Sequence, residues 1–261
     1  MCTAVILRRP AHAWPLIFAA NRDEMGGRPW LPPGRHWPDR PEVTAGQDLL
    51  AGGSWLGVND HGVLAAVLNR RGSLGPAADK RSRGELVLEA LDHADAADAA
   101  RALSALNPDA YRSFNLVIAD SRDGYWLRHS GETAGAVEVF DLPEGLSMLT
   151  AFDRNDGEAS ARVRHYLPRF EAAVTPDPDR DAAEDSGWQA WRALLGSREH
   201  DPEAGPGGAM TVSLASGFGT VCSAFLALPA PANSLTAKPR RPIWLFAPGP
   251  ADRTAFQPIE L

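Results

Sequence analysis

Cysteine is scarce in this sequence: of 261 residues only two, Cys2 and Cys222, carry a thiol. Two cysteines give neither a disulfide framework nor a metal cluster, so a reduced, cytoplasmic protein is the expectation. Positive charge is also short. The 26 Lys and Arg against 33 Asp and Glu leave a net charge of −7, which disfavours non-specific nucleic-acid binding. No run approaches the ~20 apolar residues of a membrane span. The apolar run from Cys2 to Leu7 is too short for a secretory signal, and no basic region precedes it. No internal repeat, Gly-x-Ser-x-Gly elbow, P-loop or dinucleotide fingerprint occurs. The seven histidines are scattered without metal-ligand spacing, so no metal is expected.

The hydrophobic fraction is 44%, enough for a sizeable core, and no clear linker interrupts the chain, so a single domain over residues 1–261 is expected. The eight tryptophans and 22 prolines are high counts. Many fall in loop-like stretches, which suggests aromatic-lined loops around a site.

The most informative stretch runs from Met1 to Glu24. Cys2 follows the initiator methionine, and its small size favours methionine removal. That would place a thiol and a free α-amine on one residue. A thiol attacks as thiolate, and its ordinary pKa of about 8.5 keeps it mostly protonated at neutral pH. An α-amine titrates near ~8 and can take that proton directly or through one water. This is the N-terminal-residue form of the nucleophile and base pair.

Thr3 to Leu7 is apolar and partly β-branched, as in a buried strand. Pro10 to Pro15 reads as a turn and Pro15 to Ala20 as the returning strand of a hairpin. Asn21-Arg22-Asp23-Glu24 then lies at the far end of that strand, back beside Cys2. Asp23 is a candidate to hold the α-amine. Arg22 is a candidate to fix the carboxylate and favour the thiolate. The bland alternative is a surface turn with solvated charges.

Further along, Arg28 to Glu42 reads as a long Pro- and Trp-bearing loop. Strands are expected at Val43–Asp48, within Ala51–Asn59, and at Val63–Asn69, followed by helices over Glu85–His93 and Ala94–Leu106. Strands follow at Phe114–Ala119, Tyr125–His129, Ala136–Leu142 and Ser147–Phe152. Helices are expected at Ser160–Ala173 and Trp188–Leu195, then strands at Met210–Leu214, Thr220–Leu228 and Pro242–Phe246. Arg162, Arg164 and Arg169 read as a solvated helix face. Hairpins dominate and no parallel crossover pattern appears, which argues an α+β fold with antiparallel sheets packed between helices.

Asn21-Arg22-Asp23-Glu24, together with Cys2, resembles the NRDE family, which includes the transport and Golgi organization protein 2 homologues. Gly53-Ser54-Trp55-Leu56-Gly57, Arg83-Gly84-Glu85-Leu86, Phe114-Asn115-Leu116 and Gly217-Phe218-Gly219-Thr220 match in the same order. The resemblance implies an N-terminal-nucleophile hydrolase-like fold, a four-layer αββα sandwich of two antiparallel sheets between helices. Part of the chain is also similar to choloylglycine hydrolases, whose N-terminal cysteine cleaves linear amides. By that likeness Asn69 would donate to the oxyanion, a contact worth roughly 3 kcal/mol.

The likeness has gaps. Arg22 and Asp23 are adjacent here, whereas those hydrolases place the pair apart. A second asparagine is expected after the strand ending near Ala151, and Asp153 and Asn155 are the nearest candidates. Where a late arginine is expected, Val221-Cys222-Ser223 stands.

Three readings follow. The first is an amide hydrolase with Cys2, Arg22, Asp23 and Asn69 as its catalytic set. Asn21, Trp30, Trp37, Trp55, Asp153 and Asn155 would contact a small-molecule substrate. The second is a non-catalytic protein that binds haem or acyl-coenzyme A in the same pocket. In the third the matched blocks only stabilise the fold. Without haem no cofactor is expected, and the oligomeric state is left open.

Overall fold

A computed structural model describes residues 2–131, 135–180, 187–231 and 240–261. Its chain groups into two compact units, residues 1–28 with 144–260, and residues 29–143 with 261. The path opens in the first unit with β1 (Thr3–Arg8) and β2 (Leu16–Met25). It continues through the second unit with β3 (Trp30–Gly34), β4 (Val43–Asp48), β5 (Leu56–Asn59) and β6 (Leu64–Asn69). Helices α1 (Gly84–Leu91) and α2 (Ala96–Ser104) follow, then β7 (Phe114–Ala119), β8 (Gly124–His129) and β9 (Glu138–Asp141). Back in the first unit come β10 (Gly145–Leu149), α3 (Ala161–Ala172), α4 (Gln189–Gly196), β11 (Phe218–Leu228), β12 (Ile243–Ala247) and β13 (Gln257–Pro258).

Each unit is built on one antiparallel sheet. The first carries six strands in the order β10-β1-β2-β11-β12-β13. The second carries seven in the order β3-β4-β5-β6-β7-β8-β9. The class is α+β, with two antiparallel sheets and four helices among the described residues.

In the first unit, Val5, Leu7, Ile17, Ala19, Phe225 and Ala227 share a core with Val163, Tyr166 and Phe170 of α3 and with Trp191 and Leu195 of α4. Alternate residues of a strand point to one face. These positions therefore define the helix-covered face of the sheet, and the residues between them define the opposite face.

Most expected elements form, with three differences. The Arg28–Glu42 stretch is not wholly a loop: Trp30–Gly34 pairs with β4 as the terminal strand of its sheet. An edge position is where Pro32 and Pro33 are tolerated, because a proline offers no N–H to an inner ladder. Met210–Leu214 forms no strand, and only Ser213 bridges to Gly219 there. The returning strand of the first hairpin does not stop at Ala20 but runs through Asn21-Arg22-Asp23-Glu24 to Met25, because β1 and β11 pair with it on both sides.

Candidate active site

The register of the first sheet places the motif. Thr3 pairs with Asn21 across β1 and β2, so Cys2, one residue before Thr3, lies beside Arg22. On the other side of β2, Cys222 pairs with Arg22 and Ser223 with Asn21. The Cys2 thiol donates to the Asp23 backbone carbonyl at 3.5 Å. The expected approach of the motif to Cys2 is therefore present. Whether the α-amine meets Asp23 lies outside the described residues, as does Met1 itself.

The pleat resolves which of the adjacent Arg22 and Asp23 does what. Asp23 and Asn21 lie on the helix-covered face of the sheet, where both are buried. The Asp23 carboxylate accepts from Arg162 Nη1 at 3.1 Å and from the Thr220 hydroxyl at 2.7 Å. Arg22 occupies the alternate position and faces the other side with Cys2 and Cys222.

The Cys2 thiol is half-buried. Its pKa is raised, first by burial and then by the Asp23 carboxylate, while Arg22 acts the other way. The expected push of Arg22 toward the thiolate is thus present but outweighed. Cys222 is buried, and burial pushes its thiol up to about 12. Burial disfavours the charged form of both thiols. Burial therefore works against a standing Cys2 thiolate, and attack calls for a base at the moment of reaction.

Arg162 corrects the sequence reading most sharply. It is not on a solvated face: it is 1% exposed. Nη1 donates to the Thr3 hydroxyl at 2.6 Å and to Asp23, and Nη2 donates to the Gly207 carbonyl at 2.9 Å. Arg162 lies four residues before Tyr166 and eight before Phe170, on the stripe that faces the core. That spacing was the available signal. Arg164 and Arg169 are indeed on the outer side, each paired with a surface carboxylate, Asp201 and Glu199.

Asn21 is not placed to meet a ligand. Its amide nitrogen donates to the Leu195 and Met210 carbonyls, both at 2.9 Å, and its oxygen accepts from the Ser223 hydroxyl at 2.7 Å. The side chain cross-links β2 to β11, the end of α4 and the segment before β11. Asn155 has a similar local task. It takes a left-handed backbone with φ of 57°, accepts from the Met148 N–H at 2.6 Å and donates to the Leu146 carbonyl at 3.3 Å. It closes the turn after β10. Asp153 is half-buried in that turn, where its carbonyl accepts from the Asp156 N–H at 3.2 Å.

The remaining expected residues belong to the second unit. Asn69 ends β6, half-buried and paired with Phe114. Trp37 is a core residue, 9% exposed, whose indole donates to the Gly52 carbonyl at 3.1 Å. Trp30 and Trp55 are half-buried and meet edge to face with ring centroids 5.7 Å apart. Among the described residues no three His, Cys, Asp or Glu side chains form a metal-binding group, and no helix is long and apolar enough to cross a membrane.

Residues 1–174 match the sequence profile of the family described as Transport and Golgi organisation 2. The chain belongs to this family. The bovine Transport and Golgi organization protein 2 homolog is 38% identical over 115 residues, 42% of this chain and 40% of the relative. The human homolog is 37% identical over the same shares. The chain thus covers about two fifths of the length of the curated relatives it matches.

Among solved structures, a Caenorhabditis elegans N-acylethanolamine-hydrolyzing acid amidase ortholog superposes with a TM-score of 0.58 at 14% identity, covering 89% of this chain and 95% of its own. A mutant conjugated bile acid hydrolase from Clostridium perfringens superposes with a TM-score of 0.52 at 12% identity, covering 100% and 97%. At such identities the likeness is one of fold, and the fold is that of the N-terminal-nucleophile hydrolases.

Proposed function

We propose that this member of the Transport and Golgi organisation 2 family, once its initiator methionine is removed, is an N-terminal cysteine hydrolase acting on a linear amide of a small acyl substrate. The observation that carries the reading is the setting of Cys2. Cys2 directly precedes β1 beside the Asn21-Arg22-Asp23-Glu24 segment, and its thiol touches the Asp23 carbonyl, with Arg22 on the same face. The amidase and hydrolase names of the fold neighbours support the reaction class.

In this mechanism the Cys2 sulfur attacks the amide carbonyl carbon while the thiol proton passes to the Cys2 α-amine. The carbon–nitrogen bond then breaks, and the proton leaves with the departing amine. Water hydrolyses the resulting thioester, releasing a carboxylic acid and restoring the thiol. Burial raises the Cys2 thiol pKa, so the mechanism relies on the α-amine as the base that takes its proton. Arg22 adds a positive charge on the same side that favours the thiolate.

The test combines intact mass with probe labelling and turnover. The mature chain should begin at Cys2. An acyl electrophile should modify Cys2 in the folded protein, and a panel of acyl amides should contain at least one substrate whose turnover vanishes in Cys2→Ala. A chain that retains Met1 while active, or a folded protein whose Cys2 takes no acyl group, would sink the hydrolase reading. Acyl-chain or haem binding without turnover would move the function to ligand carriage.

A further inference from the structure

The buried Arg162 contacts both strands that hold Cys2. Through one nitrogen it reaches the hydroxyl of Thr3, the residue after Cys2 on β1. The same nitrogen reaches the carboxylate of Asp23, whose backbone carbonyl receives the Cys2 thiol from β2. Its other terminal nitrogen is anchored on the Gly207 carbonyl. The guanidinium lies on the helix-covered face of the sheet and the thiol on the opposite one. The strand segments Cys2–Thr3 and Asp23 lie between them.

We propose that Arg162 is a positioning residue for Cys2. It fixes the two strand segments that carry the thiol, and it neutralises the Asp23 carboxylate behind them. The inference rests on the hydrolase reading for its purpose, since a thiol needs such control only where it reacts.

Two consequences separate this role from simple support of the fold. The first is electrostatic. Asp23 and Arg22 on β2 and the chain's amino terminus act on the Cys2 thiol directly, Cys222 faces it from β11, and Arg162 acts on it through Asp23. Asp23 opposes thiolate formation, so losing its counter-charge should make the thiol harder to ionise. The second is mutual: the two members of the pair should move the thiol in opposite directions. Asp23→Asn removes a negative charge beside the thiol and should ease ionisation, whereas Arg162→Met should hinder it.

The experiment is the pH dependence of Cys2 alkylation by iodoacetamide in the mature, folded protein, read at Cys2 by peptide mass mapping. Relative to the unsubstituted protein, Arg162→Met should shift the profile to higher pH and slow labelling near pH 7 by about tenfold, the effect of about one pKa unit. Asp23→Asn should shift it to lower pH. The double variant should return close to the starting profile, and Arg162→Lys should stay within about threefold of it, because the charge is kept.

A folded Arg162→Met protein whose profile superimposes on the original overturns the proposal. If Arg162→Met does not fold, the comparison moves to the Asp23→Asn background. There, adding Arg162→Met must slow labelling again, and identical profiles overturn the proposal. Alkylation needs no amide turnover. A protein that hydrolyses no amide but shows these opposite shifts loses the hydrolase reading and keeps the positioning role.

Discussion

Asp23 and Arg162 form an ion pair at 3.1 Å in which both side chains are almost completely removed from water, at 0% and 1% exposure. One comes from a strand near the chain start and the other from a helix 139 residues later. Such a pair has a large penalty for losing one member, because the other is left charged and buried. Asp23→Ala is expected to cost about 3–5 kcal/mol of stability. Urea unfolding followed by tryptophan fluorescence measures it. Asp23→Asn combined with Arg162→Met should cost less than Asp23→Ala alone. Equal or greater loss in the double variant would mean that the pair is not the energetic unit.

Asn21 gives a second prediction of the same kind. Its amide satisfies two buried carbonyls and its oxygen one buried hydroxyl. Asn21→Ala takes the partner from the Met210 carbonyl and the Ser223 hydroxyl, while the Leu195 carbonyl keeps the Thr211 hydroxyl at 2.9 Å, and each unsatisfied group costs about 1–3 kcal/mol. The variant should lose at least about 2 kcal/mol by urea midpoint, with no effect on ligand contacts. Asn21→Asp keeps the acceptor and removes the amide donors, and it should be at least as harmful as Ala. A loss below about 1 kcal/mol in Asn21→Ala would refute the cross-linking role.

How far the sequence discloses this region depends on what each pattern reports. The β1–β2 hairpin is readable because two apolar runs flank a proline-bounded turn, and its register then brings the motif to Cys2. The continuation of β2 through Asn21-Arg22-Asp23-Glu24 is not readable from propensity. Asp and Asn are poor strand formers, and here pairing on both sides overrides that preference. Arg162 was hidden for a related reason. A charge beside Arg164 and Arg169 suggests solvent, and only its four-residue spacing from Tyr166 marks the buried stripe. Its partner Asp23 is too distant in sequence for any local pattern to reveal the pairing. Trp37 shows the reverse error, since an aromatic in a proline-rich stretch suggests a ligand surface but packs in the core of its unit.

Two of the family blocks in the second unit pack against each other. Gly53 and Gly84 come from two separate matched blocks and lie against each other. The Ser54 N–H donates to the Gly84 carbonyl at 3.0 Å. A Cβ added at Gly53 would stand 2.7 Å from the Gly84 carbonyl oxygen, and the obstacle is backbone that cannot swing away. Gly53→Ala should therefore destabilise by about 1–3 kcal/mol or more through overpacking. A thermal melt checks this, and a variant as stable as the parent would show that the two backbones part without cost. Gly52 beside it has a φ of 74° and open space, so Gly52→Ala is disfavoured by backbone conformation rather than by collision.

His129 predicts a pH dependence. It ends β8, 3% exposed, with its ring 5.6 Å from that of Phe114, and its Nδ1 has no hydrogen-bond partner among the described residues. Burial holds its pKa below the usual 6.5, and Lys80 and Arg70 act in the same direction. The Tyr111 backbone bond and Asp109 oppose them without reversing the shift. The folded state therefore resists taking the proton that the unfolded chain accepts near pH ~6.5. Above that value neither state is protonated, and the full stability is present. As pH falls below it the unfolded state binds more protons, so stability declines, and the decline continues until the folded-state pKa is passed. Urea midpoints measured from about pH 8 down to about pH 5 should fall more steeply in the parent protein than in His129→Leu. The leucine variant removes this proton-binding difference and leaves the other histidines in place. Parallel pH curves for the two proteins would show that His129 is not a source of the acid sensitivity.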